Sequence, residues 1–148
     1  MSFAKIYTRG LLGLHAPLIE VEVHVSSGMP SLTIVGLPEA AVRESKDRVR
    51  SAILNSGFQF PTKRLTINLA PADLPKDGSR LDLPIALGIL VASGQLPENC
   101  TDDLEFIGEL ALDGQLRPVT GILSIAIACQ HDQHQLMLPG PNAQEACQ

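Results

Sequence analysis

Two short stretches of the chain carry side chains whose type and spacing could do chemistry. Ser79 follows Gly78 in a loop directly before a helical segment, a setting in which an exposed hydroxyl can act as a nucleophile. No GxSxG elbow surrounds it and no base stands beside it, so a turn or capping serine is the plainer reading. His131 and His134 are three apart, which can set two imidazoles on one helix face as metal ligands. Cys129 is near, but nothing completes the set, and a solvated, polar helix end is the plainer reading. Nucleotide hydrolysis by a P-loop needs GxxxxGK followed by Ser or Thr, because backbone N–H groups and the lysine hold the phosphates. The chain has no such segment.

A third chemistry is anion binding. Arg43, Lys46, Arg48, Arg50, Lys63, Arg64, Lys76 and Arg80 stand among only four acids between positions 43 and 80. Each Lys or Arg on a phosphate releases counterions. On a helix such residues are more simply a solvated face with internal ion pairs. Lys63, Arg64, Lys76 and Arg80 sit beside loops, where binding groups concentrate, and are the stronger candidates for DNA or partner contact. Tyr7 is the one tyrosine and there is no tryptophan, so single-strand recognition by stacking on bases is not expected.

The net charge of −5 hides an asymmetry: residues 1–80 carry +3 and residues 81–148 carry −8. An acidic total argues against a free-standing nucleic-acid binder but leaves room for a local basic patch. A chain of 148 residues suits a single domain with its own core. With so few aromatics that core must be Leu, Ile, Val and Ala, as in helices lying on a sheet. Cys100, Cys129 and Cys147 are odd in number and far apart, which indicates free thiols and a reducing compartment. Residues 83–92 form the longest apolar stretch and are too few to span a bilayer. The expected location is the cytoplasm.

The elements that must position these groups follow from periodicity. Strands are expected at 4–8, 19–25, 32–35 and 64–69, the second with Ile19, Val21, Val23 and Val25 on one face. A helix at 38–56 opens on Pro38, stops at Gly57 and offers Glu39/Arg43, Arg43/Asp47 and Glu44/Arg48 pairs. After a Pro/Gly-rich loop through Gly78, Asp82 is placed to cap an all-apolar helix at 83–93. A strand at 105–110, a turn at Asp113-Gly114 and a strand at 116–119 read as a hairpin. A helix at 121–129 and a strand at 135–138 follow. Asn142 with Glu145 has a capping-box pattern, which implies a further helix and a longer protein.

The most specific signal is a series of motifs in order: VGLPE at 35–39, SKDRVRSAI at 45–53, INLAPADLPKDG at 67–78, LDLPIA at 81–86, IGELALDG at 107–114 and LRPVTGIL at 116–123. Together they resemble the N-terminal domain of the ComM/YifB family, bacterial AAA+ proteins also described as magnesium-chelatase-like. The resemblance implies an α+β fold similar to the Lon-protease domain and to ribosomal protein S5 domain 2, a mixed sheet packed with helices, as one domain over 1–148. It also implies a downstream AAA+ module with ATP and Mg2+, neighbouring subunits in a hexameric ring, and a DNA helicase promoting branch migration in natural transformation. No cofactor, metal or membrane is implied for this chain itself.

The Lon resemblance bears on catalysis. Lon proteases pair the serine of an Asp-Gly-Pro-Ser loop with a lysine after Pro-Ile-Gly-Gly-Leu. Here the first motif reads Asp77-Gly78-Ser79-Arg80, with Arg80 at the serine position. The second reads Pro118-Val119-Thr120-Gly121-Ile122, with Leu123 at the lysine position. Both dyad positions are degenerate, and Leu123 cannot supply a base. The expectation is a non-catalytic domain serving assembly or DNA contact. A residual peptidase using Ser79 and a purely structural packing domain are the alternatives.

Overall fold

The computed structural model describes residues 2–74, 76 and 79–146. Strand β1 (Ser2–Arg9) pairs antiparallel with β2 (Leu18–Ser26), from Ser2↔Val25 to Arg9↔Leu18. Strand β3 (Ser31–Val35) leads through helix α1 (Glu39–Asn55) into β4 (Arg64–Ala70), which runs parallel to β3 and antiparallel to β2. A parallel neighbour requires such a crossover, and the helix supplies it. A 3-10 turn at Ser79–Leu81 leads into α2 (Asp82–Ala92). Then come β5 (Leu104–Phe106), the short pair β6 (Glu109–Leu110) and β7 (Leu116–Arg117), α3 (Ile122–His131) and β8 (Gln135–Met137). A 3-10 turn at Gly140–Asn142 and helix α4 (Ala143–Ala146) complete the described order. The main sheet runs β3-β4-β2-β1-β5-β8, and β6-β7 is separate. This is the α+β arrangement of a mixed sheet and helices that the resemblance implied.

Alternation along the strands decides which face each helix covers. Ala4, Ile6, Val21, Val23, Leu65, Ile67 and Leu69 point to one face and are buried. Helix α2 lies on that face, with α1 packed beside it. That placement explains why α2 is apolar all round, since only Leu83 and Leu87 escape full burial. Gly88 permits the close approach: a Cβ there would stand 2.5 Å from Val23 Cγ2. A second apolar cluster of Ala16, Ile107, Ile122 and Ile125 lies under α3. It belongs to the opposite face, because Glu105 pairs with Tyr7 and Leu136 in register, and these alternate with the core-facing residues. Beyond α3 that face of β2, β4 and β3 is open, carrying half-buried or exposed Glu22, His24, Thr33, Thr66 and Asn68.

Several local expectations give way to tertiary contacts. The expected strand at 105–110 divides, because the backbone at Ile107 and Gly108 turns aside. Gly108 N–H donates to the Arg80 carbonyl (3.1 Å), and Gly108 carbonyl accepts from Leu83 N–H (3.1 Å). Asp82 does not cap α2, whose N-cap is Leu81 without a side-chain bond. Its carboxylate turns to α1 and β6 instead. Asn142 forms no capping box: its amide clamps Val119, accepting from the N–H and donating to the carbonyl at 2.9 Å each. On α1 the Glu44–Arg48 pair forms at 3.8 Å. No ion pair joins Arg43 to Asp47 among the described residues, and the Glu39 side chain lies outside them. Cys100 is an exposed free thiol and Cys129 a buried one, while Cys147 lies outside the described residues.

Candidate nucleic-acid and partner interface

The degenerate dyad segment is well fastened. Ser79 and Arg80 stand in the 3-10 turn before α2, and Arg80 is 5 % exposed. Its guanidinium donates to the Thr120 carbonyl at 2.5 Å, three residues before Leu123. The two motif segments therefore meet in space. Leu123 lies on the first turn of α3 and is 37 % exposed. Gly121 opens that helix in the left-handed region (φ 73°), where a Cβ would collide with Leu11 Cδ1 at 2.2 Å. Asp77 and Gly78 lie outside the described residues.

The four basic candidates do not share one surface. Lys63 and Arg64 stand at the start of β4, both exposed. Lys76 and Arg80 follow its other end, and seven extended residues separate the pairs by about 20 Å. Lys76 Nζ donates to the carbonyls of Pro71 (2.6 Å) and Leu74 (2.9 Å). Burial lowers its pKa, opposed only by Asp73. Lys76 thus ties its own loop, and Arg80 ties that loop to α3. Neither Lys63 nor Arg64 has a carboxylate within ion-pair distance among the described residues. Arg50 joins them from the last turns of α1, its guanidinium 5.1 Å from the Phe60 ring centre.

The two histidines diverge. His131 ends α3 in solvent beside Asp132 (3.6 Å). His134 turns inward, its Nδ1 2.7 Å from Glu105 Oε2 and its ring stacked on Tyr7. Among the described residues no group of three or more His, Cys, Asp and Glu is placed to hold a metal ion.

Sequence reasoning missed the network that His134 enters. Glu105 is fully buried and Arg9 is 4 % exposed. Arg9 donates to both Glu105 oxygens (2.7 and 2.8 Å), to Asp132 (2.5 Å) and to the Ala16 carbonyl (3.0 Å). Burial works against Arg9's charge, but Glu105 and Asp132 hold its pKa above the ordinary value. The same hydrogen bond from Arg9 lowers the pKa of Asp132. Burial first, and then Glu105, push the Cys129 thiol up to about 12. The network pins the end of β1 and the residues after α3 to β5. A lone Glu within the apolar run 104–107 was the one available signal.

Asp82 forms a second buried node, receiving Arg48 Nε (2.6 Å), Ser45 Oγ (3.0 Å) and Leu110 N–H (3.1 Å). The partners shift unequally. Burial pushes Asp82 above the ordinary carboxylate value despite these donors, whereas its hydrogen bond raises Arg48. The asymmetry follows burial, since the Asp82 side chain is fully enclosed and that of Arg48 is 22 % exposed.

Comparison with known proteins agrees with these motifs. The profile of the family described as subunit ChlI of Mg-chelatase matches residues 21–142. Competence protein ComM of Haemophilus influenzae is 53% identical over 146 residues, which is 99% of this chain and 29% of that protein. YifB of Escherichia coli is 53% identical over 145 residues, again 29% of its length. A Lon protease of Chloroflexus aurantiacus is 30% identical over 118 residues, 74% of this chain and 14% of that enzyme. The chain thus spans under a third of the length of the ComM and YifB relatives. On the profile match and these identities, it belongs to the Mg-chelatase ChlI family and is of the ComM/YifB type.

Proposed function

We propose that this chain is the non-catalytic, Lon-like N-terminal domain of a ComM-type AAA+ protein, serving DNA contact and ring assembly. The whole protein would be a cytoplasmic, ATP- and Mg2+-dependent ring helicase promoting DNA branch migration in natural transformation. The observation that carries the reading is at the dyad. Arg80 holds the serine position with its guanidinium buried on Thr120, and Leu123 holds the lysine position. Lys76, three residues before Ser79, spends its ammonium on backbone carbonyls. Among the four basic candidates, Lys63 and Arg64 are the pair free to meet phosphate.

Assembly has its own observation. Leu14 (89 % exposed) and Ile127 (60 %) line one cavity, with Leu123 one turn from Ile127 and Leu12 in the same β1–β2 connection. An apolar patch of this kind marks a protein contact. One experiment on the full-length protein separates the two roles. Lys63→Glu with Arg64→Glu should weaken DNA binding, and flatten its salt slope by roughly two phosphate contacts, with the ring intact. Leu14→Glu with Ile127→Glu should do the reverse in light scattering. DNA binding and assembly unchanged in both variants would refute the proposal.

A further inference from the structure

The end of the molecule that carries Lys63 also gathers the aromatics. Three of the chain's four phenylalanines, Phe3, Phe58 and Phe60, lie there. Phe58 and Phe60 line a groove of about 540 Å³ with Leu54 and Lys63. Phe60 also lines a smaller adjoining cavity of about 230 Å³ with Arg50 and Lys63. Phe60, Pro61, Thr62 and Lys63 line both cavities, and the Arg50 guanidinium stands over the Phe60 ring. Neither cavity is lined by a carboxylate among the described residues. Glu98 stands in a neighbouring cavity that holds Phe3 and shares Ser2, Ala92 and Ser93 with the larger groove, so an anion is better accommodated at the Phe60 and Lys63 side than at Phe3.

The loop that presents the rings is held in place before any ligand arrives. Gly57 ends α1 with φ 86°, and Phe58 N–H returns to the Ile53 carbonyl at 3.1 Å. Gln95, just past α2, accepts from Gln59 N–H (2.8 Å) and donates to the Gln59 carbonyl (2.7 Å). The Lys63 carbonyl accepts from Ser31 N–H at 3.3 Å. Fixed rings beside unpaired cations are what a single strand needs: bases stack on the rings while the backbone tracks the charges. A duplex keeps its bases stacked and could use only the cations.

We infer that this groove binds a single-stranded nucleic-acid segment, with an unstacked base against Phe58 and Phe60 and flanking phosphates on Lys63 and Arg50. The inference rests on the DNA-contact reading above and narrows it to single strands.

The chain has no tryptophan, so Phe60→Trp installs a sole indole in the groove wall. Titrating that variant with oligothymidylate should quench its fluorescence saturably, and an equal-length duplex should quench it far less. Phe60→Leu keeps the apolar contact without the aromatic face. With an unchanged circular dichroism spectrum, it should bind oligothymidylate about 5- to 150-fold more weakly, the range for losing one stacked base. Lys63→Glu should weaken binding further at low salt. If the duplex quenches equally, or Phe60→Leu binds normally while Lys63→Glu with Arg64→Glu still weakens binding, stacking is refuted and the basic contact survives. If that charge reversal has no effect either, the DNA-contact reading itself fails. Quenching by an acidic apolar peptide but not by oligothymidylate would overturn the inference in favour of a protein partner.

Discussion

Replacing Arg48 by methionine tests whether Asp82 is held as a charge between α1 and α2. The substitution removes the 2.6 and 3.2 Å bonds from the guanidinium but keeps an apolar stem of similar length. Asp82 would retain Ser45 and the Leu110 N–H and lose its cation. Removing one partner of a buried pair costs about 3–5 kcal/mol. The two surviving donors and the partial exposure of Arg48 put the expectation near 3 kcal/mol at pH 7. Protonation sets a ceiling. Neutralising a carboxyl of unfolded pKa about 3.9 costs about 4 kcal/mol at pH 7 and about 1.5 kcal/mol at pH 5. The sign is fixed by the raised folded-state pKa, which moves further up in the variant. A raised group contributes stability that is complete below the unfolded pKa and lost as pH rises through the folded one. The variant's deficit should therefore shrink from about 3 to about 1.5 kcal/mol between pH 7 and pH 5. Urea unfolding of both proteins at the two pH values measures it. An equal deficit at both, or one under about 1 kcal/mol at pH 7, would refute the buried-charge account.

Further outcomes follow from packing and burial. Gly88→Ala should lower stability by about 1–2 kcal/mol despite alanine's better helix propensity, because its Cβ meets Val23 Cγ2 at 2.5 Å. Val23→Ala in the same chain should recover part of that loss in urea unfolding. Cys100 should react with a thiol reagent in the native protein at pH 8, and Cys129 only after unfolding, as peptide mapping would show. Since the Cys129 thiol is pushed up to about 12, its contribution is complete below the unfolded value and falls above it. The loss should reach about 1.4–2 kcal/mol near pH 10 relative to a Cys129→Ala variant.

The strands and helices were legible because burial follows their periods. Val21, Val23 and Val25 alternate in sequence and all point into one core, and the uniform apolarity of α2 announced a helix covered on several sides. Asp82 and Asn142 were misplaced for a common reason. Both have the side chain of a capping residue, and in both a distant backbone or side chain competes for the same oxygen: Arg48 and Leu110 for one, Val119 for the other. That Lys63 and Lys76 stand beyond opposite ends of β4 could not be read from their closeness in sequence, because an extended strand turns sequence proximity into distance in space. The groove at Phe58 and Phe60 was hidden by composition. A count of aromatics does not say that Phe3, Phe58 and Phe60 fold to one end.

The dyad positions sharpen why this scaffold keeps the motif without its residues. A peptidase loop must leave its serine hydroxyl and the space before it open to substrate. Here the turn at Ser79–Leu81 is closed from two sides. The Arg80 side chain reaches Thr120 at the entry to α3, and its backbone carbonyl receives Gly108 from the diverted segment before β6. Arg80 thereby joins its own turn to Thr120 and to Gly108, and Asp82, two residues on, joins that turn to α1 through Arg48. On the reading proposed here, a catalytic position has become a fastening point. Serine at 80 would remove the guanidinium that spans to Thr120, and lysine at 123 would stand on a partly solvated face of α3 rather than in a closed site. Two substitutions would rebuild the letters of the dyad and unfasten the frame that would have to aim them.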